Sequence, residues 1–500
     1  MKTKIVIIFI FGILCVQNAV SQTVIDLLSY SRYYTGSTAR SAAMSGAFGA
    51  LGGDVSVLSS NPAGIGIYRS SEFTLSMGPS FVNTNAMLNG NNFEEFSARF
   101  RLSNIGYIHT WKRNDEKTIR SVTFGLAYNR LSDFASSAFV DTDVSSSMIE
   151  DFTWDANNNG NPLSEDQLDN FYLGPAFDTY LIDFVDPQQK YDYYNDYSRQ
   201  GKPYRQQMKR TVNNNGGIGE YAISLGANIS DWAYIGATWG IHSVSHKESY
   251  VHTEIPKFEY LDEFQFHSDY TVNGTGMNFK AGVIFRPINM LRLGAAIHTP
   301  TRYRLHSELT TEIHAYYNKP VVAGGDTYYS SQSPVGEKTI KLSTPWRYNA
   351  NMAVIIGTFG VIGVDAEYVD YTTAKFRPNS EFHEINREKD AVLRNALNLK
   401  TGAEFRIGPV SLRGGVAYYS TPFNDRNFNS DHFNNDGIIS YSGGAGIRGQ
   451  SVYFDMAYVY TGYPSHYYDL YRENPSTNLW LSSVMQEKRH SVTFTIGVKF

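Results

Sequence analysis

Asp155, Asn157, Asn159, Gly160 and Asp166 fall at positions 1, 3, 5, 6 and 12 of an EF-hand-like loop. There, carboxylate and amide oxygens would surround a calcium ion and glycine would allow the sharp bend. Pro162 stands at position 8, where an aliphatic is usual, and aspartate replaces the final glutamate, so an ordinary Asn-rich loop is the competing reading. His242, His246 and His298 are candidate ligands for a metal or haem iron. On a strand, however, the first two would stand roughly 13 Å apart, too far to share an ion, which favours hydrogen bonding inside a lumen. No G-x-S-x-G elbow occurs, and no glycine-rich phosphate loop follows a strand and opens a helix. An enzyme is therefore not expected, and no cofactor is implied.

The elements that carry these residues are strands. From Lys488 to Phe500, Val492, Phe494, Ile496, Val498 and Phe500 are apolar, while Ser491, Thr493, Thr495, Gly497 and Lys499 are small or polar. A period of two marks a strand with one oily and one wet face, and a final aromatic strand is how outer-membrane barrels close and present themselves to the barrel-assembly machinery. The pattern recurs in fourteen stretches, beginning near Glu72, Phe96, Ile119, Ile218, Ala233, Tyr270, Leu291, Thr339, Phe359, Leu393, Val410, Ile438, Ser451 and Arg489. Tight links such as Ser230-Asp231-Trp232, Gly357-Thr358 and Gly408-Pro409 alternate with long ones: 135–217, 253–269, 314–338, 373–392, 423–437 and 464–488. Short turns at one end and long loops at the other predict an all-β fold, a 14-stranded antiparallel transmembrane barrel with a long extracellular loop at 135–217.

Composition agrees with that class. The chain has 36 Tyr, 30 Phe and 6 Trp, enough for aromatic girdles at two interfaces. It lacks the apolar run of about 18 residues that a helical span needs. Lys2 and Lys4, the apolar stretch from Ile5 to Val16 and the small residues Ala19-Val20-Ser21 predict a signal peptide over 1–21, which also removes the single Cys15. Loss of those two lysines takes the net charge from -5 to -7, which argues against a nucleic-acid partner.

Alternation also assigns faces. Ile235, Ala237, Trp239 and Ile241 suit lipid, turning Thr238, His242 and His246 inward; Leu291, Leu293, Ala295 and Ile297 do the same for Arg292 and His298. On the third strand Val122, Phe124, Leu126 and Tyr128 face out, leaving the small Thr123, Gly125 and Ala127 inside with Asn129. Small inward residues leave room for a plug. Residues 22–71 do not alternate, and Ser37 to Gly53 is dense in Gly, Ala and Ser, as close packing against an inner wall requires. Residues 72–500 would then form the barrel.

The plug carries a resemblance. Arg40 to Phe48, then Gly52-Gly53-Asp54, then Asn61-Pro62-Ala63-Gly64, resemble the N-terminal hatch of the FadL/TodX family of outer-membrane transporters of long-chain fatty acids and hydrophobic compounds. The loops are similar to those of Bacteroidetes-type relatives, some labelled haemin receptor. The resemblance implies a fourteen-stranded barrel in the outer membrane of a Gram-negative bacterium, a hatch motif at Asn61, Pro62, Ala63 and Gly64, and passive, hatch-gated uptake of a hydrophobic small molecule. It implies exit into the outer-membrane lipid through a kink in the third strand, which here corresponds to Asn129, Arg130 and Asp133. Haem-related uptake, a porin for hydrophilic solutes and a FadL-like scaffold for secreted protein cargo are the alternatives.

Overall fold

The computed structural model describes residues 24, 27–34, 37–112, 118–186, 191–197, 204–256, 260–424 and 436–500. The expected signal peptide lies outside them. Alternating stretches become strands β1 (Glu72–Leu88), β2 (Asn91–Lys112), β3 (Ile119–Asp133, continued by Ser136–Val144), β4 (Gln206–Ile229), β5 (Ala233–Pro256), β6 (Leu261–Ile288) and β7 (Leu291–His298 with Arg302–Tyr317). They continue as β8 (Gly336–Ser343 with Arg347–Ile356), β9 (Gly360–Asp370), β10 (Asn395–Ile407), β11 (Val410–Tyr419), β12 (Ile438–Arg448), β13 (Val452–Gly462, extended by His466–Asn474) and β14 (Leu479–Lys499).

Each strand pairs antiparallel with the next, and β14 returns to β1 with Lys499 opposite Glu72. The Ser71 N–H donates to the Phe500 carbonyl at 3.0 Å, and the Phe500 N–H donates back at 3.1 Å. The sheet is thus a closed 14-strand antiparallel barrel, the form that satisfies backbone groups without an outer edge. Ile235, Trp239, Phe279, Leu293, Leu399, Phe454 and Ile496 stand exposed on its outer face. Alternating neighbours such as Thr238, His242, His298 and Thr495 are buried inside. An apolar exterior around a polar interior is the inversion that a lipid surround demands.

Two of the long links are largely strand. The 253–269 link is paired to its tip, Glu254 opposite Phe264, and much of 464–488 forms an outer ladder in which His466 opposes Met485. Similarly, β4 starts at Gln206, so Asn213-Asn214-Asn215 lies in a ladder opposite Ser249, Glu248 and Lys247. These segments read as loops because polar residues occupy both faces where the sheet rises beyond the apolar band. The rest of 135–217 folds into helices α1 (Met148–Asn157) and α2 (Leu173–Asp178) and a short hairpin. Their Ile149, Phe152, Leu168 and Leu173 bury against Leu88, Phe264, Phe266, Ile313, Leu470 and Tyr471, forming a cap over the loop end of the barrel.

Residues 37–70 run inside the barrel at the turn end, mostly buried, with short 3-10 helices at Val55–Leu58 and Pro62–Ile67. Farther up, Leu27 and Leu28 are buried among wall residues, each contributing roughly 1.5–3 kcal/mol of hydrophobic stabilisation.

Candidate functional site

The interior segment is attached through its backbone. Asn61 caps the Pro62–Ile67 turn, its Oδ1 accepting from the Ala63 N–H at 3.2 Å, while its Nδ2 donates to Asn351 Oδ1 at 3.2 Å. The turn rests on glycine: a Cβ on Gly236 would stand 2.2 Å from the Pro62 carbonyl oxygen, and one on Gly282 would stand 2.0 Å from Asn61 Oδ1. Wall donors hold successive carbonyls of the segment. Arg292 Nη1 reaches Leu51 O at 2.6 Å, Lys280 Nζ reaches Ser59 O at 3.2 Å, His298 Nε2 reaches Ser60 O at 2.6 Å, and Arg347 holds Ser31 O. A 3-10 turn and irregular coil leave carbonyls that water cannot reach, and the polar inward face of the barrel supplies their partners.

The strongest attachment is ionic. Arg40 donates to both oxygens of Glu404, at 2.9 and 3.2 Å, while Arg413 Nε donates to Glu404 at 2.6 Å and its Nη1 to Asp455 at 2.6 Å. Glu404 and Asp455 are almost fully buried. Removing any one member of such a cluster leaves an uncompensated charge in a site without water.

The histidines and Arg292 are dispersed along this lining. His242 sits between Glu220 at 3.3 Å and the Tyr303 hydroxyl at 2.6 Å; His246 meets the Tyr30 hydroxyl at 3.2 Å; His298 and Arg292 hold the carbonyls already named. Among the described residues no cluster of three or more His, Cys, Asp or Glu could hold a metal ion.

The cap places the calcium candidates in separate elements. Asp155 and Asn157 belong to the last turn of α1 rather than to an EF-hand loop, and Asp166 lies in a separate 3-10 turn at Glu165–Gln167. Asp155 is taken by Arg472 at 2.5 Å, and Asn157 exchanges hydrogen bonds with the Tyr193 backbone at 2.6 and 2.9 Å. Nothing is described for the Asn159 side chain. The helix forms because Ser147 caps it, its hydroxyl accepting from the Ile149 N–H at 3.0 Å, and because Ile149, Phe152 and Ala156 share one buried face.

The same cap contains a titrating group. Asp151 is pushed up to about 6, because burial penalises its charged form more than Arg472, which it shares with Asp155, favours it. A raised native value means that the folded cap holds this proton more tightly than the unfolded chain. The contribution is complete below about pH 4 and is lost as pH rises through about 6. Amide-exchange protection of α1, corrected for intrinsic rates, should fall by up to about 3 kcal/mol between pH 4 and pH 7. Asp151→Asn should flatten that dependence; an equally steep profile in the variant would remove Asp151 as its source.

Among the described residues the wall's ladder parts between β2 and β3. Pairing of β2 with β3 stops at Asn104 opposite Asn129, leaving the β3-facing edge of residues 91–103 without a backbone ladder. At the same level β3 bulges at Leu131, between Arg130 opposite Gly219 and Ser132 opposite Ile218. Side chains close the slit at its upper end, where Asn91 Nδ2 donates to Thr142 Oγ1 at 3.0 Å and Phe93 meets Phe139 edge to face at 6.4 Å. Asn129 is buried below it, accepting from Asn104 Nδ2 at 2.7 Å and donating to Ser59 Oγ at 2.8 Å. Arg130 Nη2 donates to Gly216 O at 3.1 Å, and Asp133 is bridged by Arg101 from the opposite edge.

Behind the slit, Leu131 belongs to a packed apolar cluster with Ile218, Val244, Val272, Tyr303 and Leu305, which also takes in Phe376, Phe382 and Val392 and, from the N-terminal segment, Val24, Leu27, Leu28 and Tyr30. Arg101, Leu131 and Arg489 were not found from sequence. The visible signal for Arg101 is a charged residue within an otherwise amphipathic strand.

No protein-family model matches the chain, and no curated protein does. Solved structures do. A Pseudomonas aeruginosa FadL homologue aligns with a TM-score of 0.52 at 13% identity, covering 94% of this chain and 100% of that one. The Pseudomonas putida toluene transporter TodX aligns with a TM-score of 0.51 at 11% identity, with the same coverage. The chain has the fold of these FadL-type barrels.

Proposed function

We propose that this protein mediates passive uptake of hydrophobic small molecules, such as long-chain fatty acids, across the outer membrane of a Gram-negative bacterium. Residues 22–71 act as the hatch that yields to let them pass. The observation that carries this reading is the junction at Leu131: one residue belongs both to the packed apolar cluster and to the lining of the cavity behind the slit. A solute that avoids water moves between two apolar surroundings, this cluster as the N-terminal residues yield and the outer lipid, without crossing a wet pore. The TodX barrel of the same fold is a toluene transporter, which fits this class of solute. The polar bonds that hold the hatch leave little room for the porin reading, and the dispersed histidines offer haem iron no shared site.

The test is uptake of labelled oleate by cells expressing the intact chain, with folding verified by heat-dependent mobility. Leu131→Trp should fill the junction and reduce uptake severalfold, whereas Leu131→Ala should preserve or raise it. Equal uptake in both variants would sink the lateral route. A folded protein that moves no hydrophobic solute would instead support the FadL-like scaffold reading, which the heavily bonded hatch favours.

A further inference from the structure

Just above the apolar band, one outward face of the wall carries a cluster of cations. Tyr303, Leu305, Leu342 and Phe376 are buried in the interior, so their alternate neighbours Arg302, Arg304, Lys341, Lys375 and Arg377 point outward, and all five are exposed. Register brings them together. Arg304 of β7 stands opposite Lys341 of β8, and Lys341 stands opposite Arg377 of the short strand Lys375–Arg377. One step lower the row reads Arg302, Ser343 and Lys375. Strand and residue spacings put these five charges within a patch of roughly 10 by 7 Å.

The patch has no counter-charge of its own. On the β6 side Arg302 and Arg304 face the uncharged Met277 and Thr275. Farther up, Glu308 lies opposite Glu337 and stands 3.5 Å from His306. Asp370 accepts from the Thr372 N–H at 3.1 Å and from its hydroxyl at 2.7 Å. Glu381, in the turn beyond Arg377, is flanked by Lys338, whose ammonium lies over the adjacent Phe382 ring at 5.0 Å. Among the described residues none of the five cations forms an ion pair or a side-chain hydrogen bond. Like charges set directly across a ladder repel, so the Arg304, Lys341 and Arg377 row weakens the sheet unless an anion from outside spans it.

Position identifies that anion. Immediately below the row Trp346, Tyr348 and Tyr368 stand exposed, the two tyrosines in ring contact at 6.4 Å, and Ile297, Met352 and Val364 continue the same face downward. An aromatic belt over an apolar band marks the membrane interface, and the end with the long links faces the cell exterior in outer-membrane barrels. The cations therefore lie at the depth of the outer-leaflet headgroups. Guanidinium forks and ammonium groups suit phosphate oxygens, and an anion carried on acyl chains is held at this depth by the apolar wall beneath it.

We propose that this face binds the phosphorylated headgroup of an outer-leaflet glycolipid, its phosphates spanning the Arg304, Lys341 and Arg377 row and its acyl chains lying along the apolar wall below. This site concerns the lipid around the barrel rather than the solute within it, so Leu131→Trp should leave its binding unchanged whatever that variant does to uptake.

The experiment uses the full chain purified in a neutral maltoside detergent and washed free of native lipid. Native mass spectrometry then counts bound lipid during titration with bisphosphorylated lipid A, its dephosphorylated form and phosphatidylglycerol, with inorganic phosphate as the tail-free competitor. The bisphosphorylated lipid should bind at least about tenfold more tightly than the dephosphorylated one. Combined Arg304→Gln, Lys341→Gln and Arg377→Gln should remove that preference, while the same change at Lys112, Arg120 and Lys247, exposed cations elsewhere on the barrel, should keep it. Heat-dependent mobility verifies that both variants are folded.

Equal binding of the two lipid A forms by the intact protein would overturn the site, as would equal losses in the two triple variants, which would reduce the effect to net charge. Phosphatidylglycerol binding as tightly as bisphosphorylated lipid A would remove the glycolipid assignment, and full displacement by inorganic phosphate would reassign the patch to a soluble anion.

Discussion

Replacing Glu404 by Leu should detach the hatch from the β10–β12 side of the barrel while the barrel stays closed. Glu404 is 2% exposed and accepts from Arg40 at 2.9 and 3.2 Å, from Arg413 at 2.6 Å and from Arg406 at 2.7 Å. Removing it leaves Arg40 and Arg413 facing one another with Asp54 and Asp455 as the remaining carboxylates, and breaking a buried pair in this way costs about 3–5 kcal/mol. The strands on either side are zipped along their length, Phe405 opposite Leu412 and Val361 opposite Glu404 itself, so the wall retains its ladder. The loss should therefore appear in the segment around Arg40, which has no ladder. Trypsin, which cleaves after arginine, should cut at Arg40 in the variant under conditions where the intact protein resists. Glu404→Gln should be intermediate, since an amide still accepts hydrogen bonds but brings no charge. Resistance equal to that of the intact chain would show that the ion cluster does not hold the hatch.

Gly236→Val should displace the hatch from the other side. The new Cβ would lie 2.2 Å from the Pro62 carbonyl oxygen, and Gly236 itself cannot retreat because it is paired to Gly226 on one side and Gly282 on the other. A wall bonded on both edges is stiffer than a single 3-10 turn, so the turn moves and Asn61 loses Asn351. Overpacking of this kind costs about 1–3 kcal/mol. The consequence is a wet gap between hatch and wall, which planar-bilayer conductance and susceptibility to large hydrophilic antibiotics should register as an increase. Ala237→Val, one position along and exposed on the outer face, is the control and should leave both unchanged. Unaltered conductance in Gly236→Val would mean that the turn accommodates the side chain without leaving the wall.

The strands were legible because a half-buried wall imposes a period of two. Val492, Phe494 and Ile496 could be assigned to lipid from types alone, and each predicted strand coincides with a segment of the barrel. Where that constraint ends, so does legibility. Asn213 to Gly217 and the stretches after Thr253 and Pro464 are paired strands, but above the apolar band neither face needs to be oily, and they read as loops. Between Asp155 and Asp166 the spacing of oxygen donors was visible but the helix was not: Ile149, Phe152 and Ala156 bury one face of Met148–Asn157, which brings Asp155 to Arg472, while Asp166 lies in a separate turn.

The sequence by itself determined a closed, lipid-facing β-barrel with small and polar inward residues, and it marked Asn61-Pro62-Ala63-Gly64 as a unit apart from the strands. Local pattern suffices there, because each residue answers to its immediate surroundings, lipid or lumen. Tertiary structure alone decided what the lumen holds and where the wall opens. Arg40 meets Glu404 and Arg101 shares a cavity with Arg489 across hundreds of residues of chain, and the slit exists because β2 and β3 part company at Asn104 and Asn129. Such contacts depend on the register of a closed sheet and on the path of a segment threaded through it, and neither leaves a periodic trace in the residues that take part.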